Sequence, residues 1–354
     1  VDSNNASIIQ DWNCGARTYA GHRGIDIDLW PFTWSMMDNN YVAVVAAAPG
    51  RVVGVTDNLT NEDNCGQAGA DLNWNYIAIR HADSSTSLYG HIRTNSAQVA
   101  LGQLVTTGQT IAFVGSSGNS SNPHLHFEVN RTAVTNSQAA GLIDPYSGSC
   151  NNLNANTWWV AQKPYWEPTV VRVMTHGARP SLIGFNNTSF CRAGEIKNAK
   201  AEFIPNDSIF FGVAMRDYLQ NQSYTLSVYD PNGVLFYSGA HTNSGSNLPK
   251  QYYIFTAKLA SNAVSGTWQA IVNFNGANFT HFFSVNCPST QNVTGTITGV
   301  KGYKASGTIT TTAANNSGNR LFLQAGSKIT LSPGFASRGG SILKARIRDC
   351  NYSE

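Results

Sequence analysis

The chain has 354 residues, too many for one ordinary core and enough for two or three domains. Its apolar share of 42% excludes a wholly disordered chain. The longest apolar run, residues 42–49, falls far short of the roughly 20 residues a membrane-spanning helix requires. Charged residues make up only 12%, about half the usual share, which argues against long helices rich in Glu and Lys.

The formal charge of +3 hides an asymmetry. Residues 1–150 hold 6 Arg, no Lys and 12 acidic side chains; residues 151–287 hold 9 basic and 6 acidic; residues 288–354 hold 8 basic and 2 acidic. An acidic head on a basic tail predicts that the tail, not the head, meets an anionic cell-surface polymer, with ordinary solvated charge as the plain alternative. The sequence opens on Val1 rather than Met, which reads as an exported, extracellular chain whose leader has been removed.

In chain order, the first region predicts strands over Tyr41–Ala47, Arg51–Thr56, Asn75–His81, Ser87–Ile92, Thr110–Val114 and His124–Asn130. These runs are rich in Val, Ile and aromatics and are bounded by Gly, Asn, Asp or Ser. One helical turn is expected at Asn136–Ala140. An Asn-rich stretch at Asn151–Pro168 sets a boundary. Beyond it, eight strands at about 10-residue spacing, with a hairpin turn at Asp230-Pro231-Asn232-Gly233, predict an Ig-like β-sandwich. The tail after Pro288 predicts a small Gly-rich β domain of five short strands, one of them Lys304–Thr310. The fold class is thus mainly β, in three domains at residues 1–165, 166–287 and 288–354.

Six cysteines without a CxxC pair, in an apparently exported chain, predict three disulfides. Sequential pairing, Cys14–Cys65, Cys150–Cys191 and Cys287–Cys350, places one clasp in each region.

Two histidine clusters stand out. In Gly21-His22-Arg23-Gly24-Ile25-Asp26, a bend at Gly24 would bring His22 and Asp26 together, because positions four apart on a straight strand lie about 13 Å apart. In Pro123-His124-Leu125-His126-Phe127-Glu128-Val129, a strand projects His124 and His126 to one face. Zinc held by three protein ligands with one open position suits hydrolysis. His22, Asp26 and His126 would be those ligands, His124 a neighbouring acid/base, and His91 in Tyr89-Gly90-His91-Ile92 could face the same site. Taken singly, each motif is more often structural. No Gly-x-Ser-x-Gly elbow, His-Glu-x-x-His helix or phosphate-binding glycine loop competes.

The joint order of these motifs, with Val44–Val53, Tyr76–His81, Gly115–Ser120 and Asp144-Pro145, resembles the lysostaphin-like zinc endopeptidases, the family of the LytM- and LasA-type enzymes. The resemblance spans roughly residues 20–146. It implies an antiparallel β-sheet catalytic domain, Zn2+ on His22, Asp26 and His126, and His91 and His124 as general base and oxyanion stabiliser. It further implies a structural His81 and a Glu128 that supports a ligand histidine. The implied substrate is peptidoglycan, with Gly-rich proteins such as elastin second and a non-catalytic wall-binding role third. The aromatic loops Trp30–Asn40 and Asp57–Asn75 would wall a groove or pack on the sheet. A monomer with no nucleic-acid partner is expected.

Overall fold

The computed structural model describes residues 1–2, 9–63, 73–132, 141–184 and 190–352. The chain is mainly β and divides into two compact units. Unit 1 comprises Val1–Tyr165 together with Ser181–Ile196, and unit 2 comprises Trp166–Pro180 and Lys197–Glu354. The helical turn expected at Asn136–Ala140 lies outside the described residues.

Unit 1 is built on a seven-stranded antiparallel sheet. Its strands are β1 (Ile25–Asp28), β3 (Gly50–Thr56), β4 (Tyr76–Arg80), β5 (Thr86–Gly90), β6 (Leu104–Val105), β8 (His124–Asn130) and β9 (Leu142–Ile143). Their order is β1-β8-β5-β4-β3-β6, with β9 on β8. A two-stranded sheet of β2 (Ala43–Val45) and β7 (Thr110–Phe113) joins them. Ile77, Ile79, Tyr89 and Ile111 are buried between these layers. Each such side chain contributes about 1.5–3 kcal/mol on leaving water. Along β8 the pattern alternates: Phe127 and Val129 enter this core, which leaves His124, His126 and Glu128 on the other face.

A short helix, α1 (Thr33–Asp38), lies in the aromatic loop where no helix is expected. Its N-cap residue, Phe32, makes no side-chain capping hydrogen bond. Glu195, from the returning segment, accepts from the backbone N–H of Trp34 at 3.2 Å and of Ser35 at 2.8 Å. Arg192 of the same segment stacks over Trp34 and pairs with Asp38. These contacts hold Ser181–Ile196 on unit 1, although the sequence reading ends the first region at residue 165.

The sequential disulfide pairing needs correction. Cys14 is bonded to Cys150, 136 residues away, with Cα atoms 5.1 Å apart. The Cys150 N–H donates to the Trp12 carbonyl at 3.1 Å, so the two segments already run side by side. The pairings Cys14–Cys65 and Cys150–Cys191 are therefore replaced. Cys191 is disulfide-bonded, and Cys65 lies outside the described residues. The expected Cys287–Cys350 clasp is present, closing a span of 63 residues.

Unit 2 contains a two-sheet sandwich. One sheet is β10 (Thr169–His176), β12 (Ser208–Tyr218) and β15 (Leu248–Lys258); the other orders β11 (Glu202–Phe203), β17 (Ala277–Val285), β16 (Gly266–Phe274), β13 (Ser223–Tyr229) and β14 (Leu235–Thr242). Alternate residues Ile209, Phe211, Val213 and Met215 of β12 are fully buried against Leu226, Val228, Ala270 and Val272, the period of two that the sequence displays.

The tail is a parallel solenoid. Its strands are β18 (Thr290–Val293), β19 (Thr296–Ile297), β20 (Val300–Ala305), β21 (Thr308–Thr311), β22 (Ala314–Asn315), β23 (Arg320–Ala325), β24 (Lys328–Leu331), β25 (Ala336–Ser337) and β26 (Ile342–Ile347). They form three parallel sheets, β18-β21-β24, β19-β22-β25 and β20-β23-β26. Each turn takes about 20 residues, the short end for solenoid repeats. The interior is narrow and filled by small or branched residues, among them Ala305, Ile309, Leu321, Leu323 and Ala325. The single strand expected over Lys304–Thr310 is two strands of different sheets.

Candidate metal centre

Strand register builds the site. On β1 and β8, Asp26 stands opposite His126 and Asp28 opposite His124. On β5, Gly90 stands opposite His126, so His91, the next residue, leaves the sheet at the same place with a left-handed φ of 56°. The chain bends at Gly24, as expected, and a side chain there is excluded by closeness: an added Cβ would lie 2.3 Å from His126 Nε2. All five sequence-predicted site residues, His22, Asp26, His91, His124 and His126, therefore gather at one end of the sheet.

Three donor atoms converge. His22 Nε2 lies 3.1 Å from Asp26 Oδ1, His126 Nδ1 lies 3.0 Å from the same oxygen, and the two nitrogens are 3.4 Å apart. A tetrahedral zinc ion with bonds of about 2.0–2.1 Å spaces its ligands by about 3.3 Å. The triangle fits such an ion. Three acceptors aimed at one point also repel unless a proton or cation stands among them, so the donor set suits a metal.

Electrostatics follow the same geometry. Burial disfavours the Asp26 carboxylate, but His126 and His22 beside it outweigh that and hold its pKa well below the usual range. Burial opposes charge on His126, yet Asp26 and Glu128 together raise it to about 9. Burial lowers His22, against the pull of Asp26. Burial first, and then the charge of His124, push His91 well below its ordinary value.

The outer partners fix the rings. His126 Nε2 donates to Glu128 Oε1 at 3.0 Å, which leaves Nδ1 for a ligand and gives Glu128 a supporting place. His91 Nδ1 donates to the Ser117 carbonyl at 2.6 Å, and His124 Nδ1 donates to the Asn122 carbonyl at 2.7 Å. A carbonyl only accepts, so both imidazoles keep Nε2 for the site. Their ring centroids are 4.6 Å apart. His81, by contrast, is engaged with the Pro49 carbonyl at 2.8 Å and Ser87 Oγ at 2.9 Å, away from this group.

Two aromatic neighbours escape the sequence reading as site residues. Trp74 meets His91 and His126 edge-on at 4.7 and 5.2 Å, and its place in an aromatic loop was the one signal for it. Tyr19 stacks on His22 at 4.1 Å and its hydroxyl bonds to Asp26; nothing in the pattern marks it.

Sheet, histidine pair and donor triangle together make a group that could hold a metal ion. Residues 20–139 match Peptidase family M23. The chain is 44% identical over 55 residues to the murein hydrolase activator EnvC of Escherichia coli strain K12, covering 16% of this chain and 13% of that protein. It is 46% identical over 54 residues to the DD-carboxypeptidase/endopeptidase Mpg of Neisseria meningitidis serogroup B, covering 15% and 12%. The matched stretch thus spans about an eighth of these curated relatives. The catalytic domain of the antimicrobial peptidase lysostaphin from Staphylococcus simulans is 26% identical, with 35% of this chain and 75% of that chain covered and a TM-score of 0.25.

Proposed function

We propose that this protein is an exported zinc endopeptidase whose first unit hydrolyses peptide bonds of bacterial peptidoglycan. The observation that carries the reading is the ligand triangle of His22, Asp26 and His126 beside two imidazoles whose Nδ1 atoms are tied to backbone carbonyls. Bound there, zinc supplies Lewis acidity that polarises a carbonyl and makes water more acidic.

The chain's own residues do the rest. Glu128 fixes the ring of His126, and Asp26 supplies the one negative charge of the triangle. A neutral imidazole, His91 or His124, takes a proton from water through Nε2. The other, once protonated, donates to the developing oxyanion or the leaving amine. Trp74 and Tyr19 flank the ligand histidines with apolar rings, which limits water around the charges. Disulfides accord with an oxidising, extracellular setting.

The likeness to a hydrolase activator supports a second reading, a wall-binding regulator without hydrolysis of its own. Against it stands the presence of all five residues. The test is metal analysis of the purified protein together with mass spectrometry of products from cell walls, a pentaglycine peptide and a Gly-rich protein. Wall fragments with new amino termini support the proposal. Metal-loaded protein that cleaves none of the three overturns it, and cleavage of the Gly-rich protein alone moves the substrate to extracellular protein.

A further inference from the structure

Unit 2 holds a cavity of about 160 Å3 between β17 and the sheet β20-β23-β26. Register sets two rows on that sheet: Gly302, Phe322 and Lys344 in one, Lys304, Gln324 and Arg346 in the next. Gly302 admits the ring of Phe282, since an added Cβ would sit 2.5 Å from it. The Phe282 and Phe322 rings are 5.7 Å apart, and the Lys344 ammonium lies 5.9 Å from the Phe322 centroid. Lys304 is buried, its Nζ donating to the carbonyls of Cys350 at 3.2 Å and Tyr352 at 3.5 Å.

Among the described residues the lining includes three cationic side chains and no carboxylate. Glu202 and Asp349, whose charges reach Lys304, are not among the lining residues. Aromatic rings beside cations match a ligand that is itself half apolar and half anionic. A pyranose has C–H faces that pack on aromatic rings, and an acid substituent pairs with Lys and with the planar fork of Arg. The volume is below the roughly 300 Å3 at which drug-sized pockets begin, so one ring or a chain end fits rather than a polymer segment.

We propose that this cavity binds a single anionic sugar unit of a glycan, its ring against Phe282 and Phe322 and its acid group on Lys344 and Arg346. Gln324, whose Nε2 donates to the Asp349 carbonyl at 2.5 Å, offers its amide oxygen to a sugar hydroxyl. This goes beyond the reading of the head and is independent of it. It gives the basic tail a defined site where the net charge gives only a tendency.

The test is calorimetric titration of the full chain with three probes: a glucuronate oligosaccharide, its carboxyl-reduced neutral counterpart, and an oligosaccharide carrying phosphate. Either acidic probe should bind at least about tenfold tighter than the neutral one, and the stronger of the two identifies the acid group as carboxylate or phosphate. Lys344→Ala and Arg346→Ala, both exposed on β26, should each weaken that binding about 10–100-fold with unchanged melting and unchanged peptide hydrolysis. Phe322→Leu should weaken both acidic probes alike. Equal affinity for the neutral probe, or full affinity in Lys344→Glu and Arg346→Ala, overturns the proposal.

Discussion

Asp26 and His126 face each other across the β1–β8 pair, Oδ1 3.0 Å from Nδ1, although 100 residues separate them in the chain. The same oxygen is 3.1 Å from His22 Nε2 and 3.6 Å from His124 Nε2. One carboxylate oxygen thus organises three imidazoles, and the register of a single strand pair sets the whole centre.

Charge at that oxygen should matter more than shape. Asp26→Asn keeps the side chain's volume but removes the negative charge, so zinc retention after dialysis against a chelator should fail along with wall hydrolysis. Glu128→Gln acts one step out, on the ring of His126, and should weaken zinc binding by about 10–100-fold rather than abolish it. Metal titration by competition with a chromophoric chelator separates the two. Unchanged zinc affinity in both variants would falsify the ligand assignment.

The two remaining imidazoles should separate from metal binding. His91→Ala and His124→Ala should each lower kcat by about 10²–10⁴-fold while zinc stays bound at one equivalent, because neither side chain belongs to the triangle. Single-turnover hydrolysis of a labelled wall peptide, with zinc content measured in the same sample, is the check. Wild-type turnover in either variant removes that residue from the mechanism.

Gly24 offers a steric test of the same geometry. Its added Cβ in Gly24→Ala would lie 2.3 Å from His126 Nε2, so the ring or the β1 entry must shift. Overpacking of this kind costs about 1–3 kcal/mol. The expected pattern is a modest fall in Tm with a large loss of zinc affinity. A variant that keeps zinc and activity would show that the close approach of the glycine is dispensable.

The Cys14–Cys150 bond ties the start of unit 1 to the segment after β9. Loop-closure entropy for a span of this size is worth about 4–5 kcal/mol, and native disulfides commonly contribute about 2–5 kcal/mol. Cys14→Ser with Cys150→Ser should therefore lower the unfolding free energy by that order in denaturant titration. Non-reducing peptide mapping of the unaltered chain should recover one Cys14–Cys150 peptide. Recovery of Cys14 joined to Cys65 would restore the sequential scheme.

What the sequence displays plainly is what repeats at short range. The alternation along Ser208–Arg216 and Gly266–Phe274 marks core strands, and the same period of two along Pro123–Val129 puts His124 and His126 on one face. What it conceals is set by partners distant in the chain. The N-terminus of helix α1 is capped by Glu195, about 160 residues on, so no local N-cap marks it. The Cys14–Cys150 pairing depends on how the first loop returns along Gly148–Cys150. In the tail, inward positions alternate just as in an antiparallel strand, so Lys304–Thr310 reads as one strand. The break at Ser306-Gly307 instead passes the chain from β20 to β21 of the solenoid. Tyr19 and Trp74 reach the centre through tertiary folding alone.

Unit 2 carries a pH dependence of its own. His176 is fully buried, its Nδ1 donating to the Lys197 carbonyl at 2.7 Å and its Nε2 accepting from the Tyr252 hydroxyl at 2.6 Å. Thr175 Oγ1 donates to the Lys200 carbonyl at 2.6 Å and so accepts from His281 Nε2 at 3.1 Å. Burial lowers His176 to about 4; burial, then the charge of Lys304, lowers His281 to about 3. In the unfolded chain both titrate near 6.5, so between about 4 and 6.5 the unfolded state binds protons that the folded state refuses. Stability contributed by the neutral rings is full above pH 6.5 and is lost as pH falls through that window. Thermal melting of the full chain from pH 7.5 to 4.5 should show Tm of the unit 2 transition falling, and His281→Gln should flatten the fall. An equally steep profile in that variant would assign the acid sensitivity to other groups.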